Sequence, residues 1–276
     1  MKKNLPFEFV YQVGALLVAI LVVHSIFAAY IRPEAEAILE IREERLAAGE
    51  LFTEERSLYV VLKDYEQESC FILMLWAFSI MGYKFRNALR EGDMLQTEFV
   101  NVGDGMSILP EDTREYTRPL QSLTDGTQDQ LLPRAMMAAL HRFSSTRNVQ
   151  DVAEAVRSIC ESESDRLDSE LSLVRYIAWA IPSIGFIGTV RGIGDALGQA
   201  YRAVEGDIAG VTASLGVAFN STFVALVISI VIMFLVHQLQ LIQERVVLDT
   251  QTYCDEKLIR HMQAVSYTHL TLPTKA

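Results

Sequence analysis

Apolar residues in this chain are pooled into long runs. Phe9 to Ile31 is 23 residues without an acidic or basic side chain, and Val211 to Val236 is another 26. An uncharged run of this length reads as a membrane span, because about 20 helical residues cross a hydrocarbon core roughly 30 Å thick. A third apolar segment runs from about Val174 to Gly194. A shorter one, Cys70–Tyr83, has 14 residues, and Tyr65, Gln67 and Ser69 extend it toward the interface. The pattern predicts an all-α membrane protein with three to four transmembrane helices, and whether 70–83 crosses is open.

The polar stretches carry their own periodicity. Glu34–Glu68 is acidic, rich in Glu, Ala and Leu, and helix-prone. After the second apolar segment the chain is punctuated by Gly92, Gly103, Gly105, Pro110, Pro119, Gly126 and Pro133, which predict loops and turns. The character changes after Asn148, a residue suited to N-capping. From there Val149, Val152, Val156, Ile159, Leu167, Leu171 and Val174 recur at three- and four-residue steps, the period of one helix face. This stripe enters the third span with no Pro or Gly before Pro182, and the fourth span continues outward through Leu239, Ile242, Val246 and Tyr253. Both predict long helical extensions packed on each other. The expected organisation is a first span within 1–31, an acidic connector 32–69, the short segment 70–83, and a cytoplasmic loop and helix 84–172. A two-span core 173–236 and a cytoplasmic helix 237–264 follow. Val265–Thr274 resembles one reading frame of a transposase adaptor used in preparing sequencing libraries, so 265–276 is read as a non-native tail.

Charge narrows the function classes. The chain has 24 basic and 35 acidic residues, a formal net charge of −11, and no basic stripe of the kind a phosphate backbone requires. Nucleic acid is therefore not an expected partner. Cys70, Cys160 and Cys254 lie far apart with no C-x-x-C pair, which supports neither a disulfide framework nor a zinc site. No nucleophile–base set, H-E-x-x-H pair or phosphate loop is present, so no enzyme and no cofactor are expected. Lys2 and Lys3 precede the first span, Lys84, Arg86 and Arg90 follow the second segment, Arg166 and Arg175 lead into the third, and Arg245 follows the fourth. The connector after the first span has 11 acids against 5 bases. With four spans and the N-terminus inside, each basic cluster is cytoplasmic. If 70–83 does not cross, the first span inverts but 84–172 remains cytoplasmic.

The third and fourth spans carry the most specific pattern. Ile181-Pro-Ser-Ile-Gly-Phe-Ile-Gly-Thr-Val-Arg-Gly-Ile-Gly194 resembles the A-P-x-x-G-x-x-G-T-V-x-G-I signature of the MotA/TolQ/ExbB proton-channel family. Leu215-Gly-Val-Ala-Phe-Asn-Ser-Thr-Phe-Val-Ala-Leu226 is similar to that family's last span, closest to the A-x-x-x-T-F-x-x-x-L pattern of the flagellar-stator branch. The resemblance covers about Asp151 to Ala264. It implies an ion route lined by hydroxyls at Thr189 and Thr222, with Ser221 and Ser229 nearby. It also implies a homo-oligomer, a pentamer, around a dimer of a single-span ExbD/TolR/MotB-like partner carrying a membrane-embedded Asp. The location implied is the bacterial inner membrane. Where the TolQ/ExbB branch has a Glu, this chain has Ala213, flanked by Thr212 and Ser214, and no carboxylate lies within the fourth span.

Spacing bears on the same positions. Gly185, Gly188 and Gly192 are small residues near one face of the third span, and with Pro182 and Ala218 they are read as helix-packing positions. We expect them to let helices of neighbouring copies approach closely. Thr222 and Ser229 share a face with Ala218 one turn before, and such hydroxyls should face the protein interior. Thr189 and Thr222 either bond only to their own helix carbonyls or line the ion route. Arg191 and Asp195 are one turn apart and expected to pair, either as an interfacial couple or as the outer mouth of the ion path. His24 is either a packed interior histidine or a proton relay. A non-conducting membrane scaffold is the rival function.

Overall fold

The computed structural model describes residues 7–47, 57–100, 106–204, 206 and 208–263. Lys2, Lys3, Gly103, Gly105 and the adaptor-like residues 265–274 lie outside the described residues. The described residues are helical with short connections, and no strand forms among them; one isolated bridge joins Ile108 to Met262. In chain order the helices are α1 (Phe7–Ile26), α2 (Arg32–Ala47), α3 (Leu58–Leu62), α4 (Tyr65–Met94), α5 (Thr113–Gln121) and α6 (Asp125–Gln128). Then come α7 (Leu131–Thr146), α8 (Val149–Glu170), α9 (Ser172–Gly198), α10 (Ala200–Val204) and α11 (Ala209–Lys257). A π-helical turn, Phe27–Ile31, joins α1 to α2 without a break. Among the described residues, three helices are long and apolar enough to cross a membrane: Glu8–Arg42, Val149–Gly198 and Ala209–His261.

Two sequence signals translate directly into local structure. The Asn148 side chain caps α8, its Oδ1 accepting the Gln150 N–H at 3.0 Å, which satisfies one of the four donors a helix N-terminus leaves free. The apolar stripe after it continues from α8 into α9 with only Leu171 between, and α11 runs unbroken for 49 residues. The short segment 70–83 differs from its expected limits. It lies inside the 30-residue α4, because the polar residues on either side of it remain helical.

The chain divides into two compact units, Met1–Lys84 with Leu171–Gln238, and Phe85–Glu170 with Leu239–Ala276. In the first, α4 runs antiparallel to α1. Tyr11 meets Ser79, their hydroxyl oxygens 2.9 Å apart, and the Trp76 Nε1–H donates to the Gln12 carbonyl at 2.9 Å. The Tyr11 and Tyr83 rings lie 5.0 Å apart, and Phe27 meets Phe71 at 5.9 Å. Lys84 forms an ion pair with Glu8. The interior is built from small and β-branched residues such as Ala19, Ala77, Ile177, Ala178, Ile181, Ala225 and Ile232, while Leu21, Phe186, Phe219, Phe223 and Ile230 face outward. That inversion suits a lipid solvent.

The second unit has the core of a water-soluble helical protein. Leu132, Met136, Leu140 and Phe143 of α7 pack with Val152, Val156 and Cys160 of α8 and with Cys254 and Leu258. Burial pushes the Cys160 thiol up to about 11 and the Cys254 thiol up to about 12, so both pack as small hydrophobes. Buried Glu163 is held by Arg134 and by Arg166, the latter at 2.7 Å. Glu91 of α4 accepts the Leu131 N–H at 2.9 Å and so caps α7 from outside the helix.

Burial pushes the Glu91 carboxyl above its usual 4.5, with Glu163 adding to the rise and the Leu131 N–H opposing it. The folded chain therefore keeps this proton to higher pH than the unfolded chain, and stability falls as pH rises from about 4.5 toward the raised value. Glu91→Gln keeps an acceptor for Leu131 without a charge to desolvate. It should melt above wild type at pH 7 and with wild type near pH 4, whereas Glu91→Ala should lose about 1 kcal/mol with the cap. Parallel pH dependence in wild type and Glu91→Gln would contradict this. Thermal melting of the purified chain in detergent at the two pH values is the measurement.

Candidate functional site

The site is built where α9 crosses the fourth apolar run. Gly185, Gly188 and Gly192 are buried, and each sits where a side chain cannot. A Cβ on Gly185 would meet the Ala225 Cβ at 2.5 Å and the Ser221 carbonyl oxygen at 3.0 Å. One on Gly188 would meet Ser221 at 2.6 Å, and one on Gly192 the Ala218 amide nitrogen at 2.8 Å. The glycine face is therefore occupied inside the chain by Ser214, Ala218, Ser221 and Ala225 of α11. This corrects the expectation that it packs between copies. Lipid supplies no hydrophobic drive for helix association, so backbone-to-backbone approach is used first within the subunit.

Close approach brings hydroxyls onto carbonyls of the opposing helix in a fixed antiparallel register. Ser229 Oγ donates to the Ala178 carbonyl at 3.0 Å, Thr222 Oγ1 lies 3.3 Å from the Gly185 carbonyl, and Thr189 Oγ1 lies 3.1 Å from the Ala218 carbonyl. Ala178 and Gly185 are seven residues apart on α9, as are Thr222 and Ser229 on α11, so these contacts recur every two turns along one seam. Thr189 and Thr222 also bond to each other through their hydroxyls, and Thr189 Oγ1 is 3.2 Å from the carbonyl of Gly185 on its own helix.

The two hydroxyl protons can run in either direction through the pair with both donors satisfied. Thr189 donates to Thr222 while Thr222 donates to Gly185, or Thr222 donates to Thr189 while Thr189 donates to Ala218 or Gly185. Each hydroxyl is half-buried, and in either arrangement the pair keeps unused acceptor lone pairs. The own-helix bond thus coexists with the cross-helix pair when Thr222 is the donor to Thr189.

The remaining hydroxyl and charged positions fall elsewhere. Ser221 is buried, donates to its own Val217 carbonyl at 2.9 Å, and lies 3.4 Å from Gln67 Nε2 of α4. It is on the α4 side of α11, apart from the threonine pair. Arg191 does not pair along its helix with Asp195, which is exposed. It reaches α4 instead, with two 2.8 Å contacts to the Glu66 carboxylate and one of 3.7 Å to Asp64. A guanidinium fork matches two carboxylate oxygens, and a base placed before an acid at i,i+4 is the weaker helical order. Pro182 sits inside α9.

Glu66 and Glu68 are the charged residues that sequence reasoning passed over, and it gave Gln67 no role beyond extending the short apolar segment. Glu68 is buried, its Oε1 2.7 Å from His24 Nδ1 and its Oε2 paired with Arg32. The Arg32 guanidinium also lies 4.2 Å over the Tyr65 ring. The usable signal was that charged residues at a span end need partners, and Arg191, Arg32 and His24 were available.

Residues 124–252 match the model of the MotA/TolQ/ExbB proton channel family, a stretch that contains all of α9 and the whole hydroxyl seam. No curated protein and no solved structure matches the chain.

Because the glycine face is intramolecular, its substitution should act on the subunit itself. Gly185→Ala should lower the melting temperature of the purified chain by an amount corresponding to about 1–3 kcal/mol of overpacking. Gly194→Ala, with nothing within 4 Å of its added Cβ, should melt like wild type. Equal melting of the two variants would show that α9 and α11 are not in contact there.

Proposed function

We propose that this chain, which belongs to the MotA/TolQ/ExbB proton channel family through residues 124–252, is the channel-forming subunit of an inner-membrane machine that turns ion-motive force into mechanical work. Membrane-spanning helices and the family assign a multi-pass subunit of proton-channel type. In the fuller reading, five copies surround a dimer of a single-span partner whose membrane Asp takes up and releases the proton. The second unit is then cytoplasmic, on the side favoured by Lys84, Arg86 and Arg90.

The observation that carries this reading is the Thr189–Thr222 pair. It is half-buried, has spare acceptor capacity, and can reverse its proton order without opening the seam. Such a group can hold water beside a carboxylate and accommodate both its charged and neutral forms. No carboxylate lies on α11 between Ala209 and Val236, so the titrating group is supplied in trans. The scaffold rival relied on small-residue faces for assembly, and the glycine face is already filled by α11.

Thr222→Val should leave complex yield unchanged and lower ion flux per purified complex. Adding Thr189→Val should nearly abolish flux, because valine keeps the shape and loses the hydroxyl. Normalised flux equal to wild type in the double variant would remove the pore-lining role. A complementary measurement uses the wild-type chain expressed without a partner, which should be silent in a proton-flux assay. Robust flux from the chain alone would refute a carboxylate supplied in trans.

A further inference from the structure

Proline 182 lies inside α9, one turn before the Gly185 carbonyl that either threonine hydroxyl can reach. A helix carbonyl normally accepts the N–H four residues on, and for Ala178 that residue is Pro182, which has none. The Ala178 carbonyl is thus released from its own helix in a segment read as buried in hydrocarbon, where an unsatisfied polar group is expensive. Its donor is Ser229 Oγ, at 3.0 Å from the facing helix. Ser229 also stands two turns from Thr222 on the same face of α11, as Ala178 stands two turns from Gly185 on α9.

We infer that Ser229 is a positioning residue rather than part of the ion route. It replaces the hydrogen bond that Pro182 removes, pins α9 to α11 at the interruption, and thereby sets the level at which Thr189 meets Thr222. The inference rests on the proposed role of the threonine pair only for its functional consequence. The pairing itself is a matter of backbone chemistry. Among the seam hydroxyls Ser229 alone donates to a carbonyl that has no helical donor: the Gly185 and Ala218 carbonyls face the Thr189 and Thr222 amides of their own helices, which remain available.

Two measurements test this on the full chain. The first is a melting-temperature cycle in detergent over wild type, Ser229→Ala, Pro182→Ala and the double variant. Ser229→Ala should lower melting by roughly 3 °C in the proline chain. It should have much less effect with Pro182→Ala, because residue 182 then carries the missing N–H. Equal losses in both backgrounds overturn the pairing.

The second is the rate of disulfide formation between Thr189→Cys and Thr222→Cys, with the three native cysteines replaced by alanine. Ser229→Ala should slow cross-linking several-fold and Ser229→Thr should restore it, whereas an unchanged rate with Ser229→Ala overturns the positioning role. This comparison stands if Pro182→Ala fails to fold. Neither readout involves conduction. A wild-type complex that passes no ions would defeat the proposed function and leave both results interpretable.

Discussion

A polar group surrounded by hydrocarbon must find its hydrogen bond within the protein, and the seam between α9 and α11 is organised by that requirement. Three glycines bring the helices close enough for hydroxyls on one to reach carbonyls on the other. The same closeness leaves no room for any side chain larger than hydrogen at Gly185, Gly188 and Gly192. Packing and polar satisfaction are therefore one design: without the glycines the hydroxyls lie too far away, and without the hydroxyls the proline-released carbonyl of Ala178 has no donor. What is left over at Thr189 and Thr222 is a pair of hydroxyls with more acceptor sites than the seam consumes. Function can use the surplus.

The second constraint is electrostatic, and it is met by one turn of α4. Successive side chains on a helix point in different directions, so Glu66, Gln67 and Glu68 reach three different neighbours. Glu66 takes Arg191 of α9, Gln67 takes Ser221 of α11, and Glu68 takes His24 of α1 with Arg32 of α2. Each acid of this turn faces a base from an apolar helix or its end, which is how charges are tolerated at the margin of a bilayer. The π-helical turn Phe27–Ile31 lies in the chain between His24 and Arg32. A π turn carries more residues per turn than the α-helix and so shifts the angular position of Arg32 relative to His24, and both meet the same carboxylate.

Periodicity made the long elements readable, because a 3.6-residue stripe and an uncharged run each determine a helix without reference to anything distant. The continuation of α8 into α9, the cap at Asn148 and the 49-residue α11 all follow from local pattern. The threonines and glycines were readable as positions through the family signature. Their partners were not, since a small-residue face says that something approaches closely and does not say what. Gly188 was read as a contact between copies and is filled by Ser221. Arg191 was read with Asp195, the nearest acid in sequence, and pairs with Glu66, 125 residues away. Pairings across the bundle depend on the register of antiparallel helices, and no short window of sequence contains it.

These pairings also bear on what the acids of the first unit do. The first unit is not without acids: Asp64, Glu66 and Glu68 stand near the start of α4. Arg191 contacts both Glu66 and Asp64, and Glu68 has one oxygen on Arg32 and the other on His24. A carboxylate paired with a fixed guanidinium holds it in place, because releasing the guanidinium would leave an uncompensated charge in an apolar surround. Glu66 and Glu68 are thus suited to holding helices in register, whereas Asp64 keeps its Oδ2 buried without a hydrogen-bond partner. The threonine pair has the complementary properties, no charge of its own and an unfilled capacity to accept hydrogen bonds. At the seam the chain therefore presents neutral acceptors rather than charge, and its charged pairs lie at the start of α4.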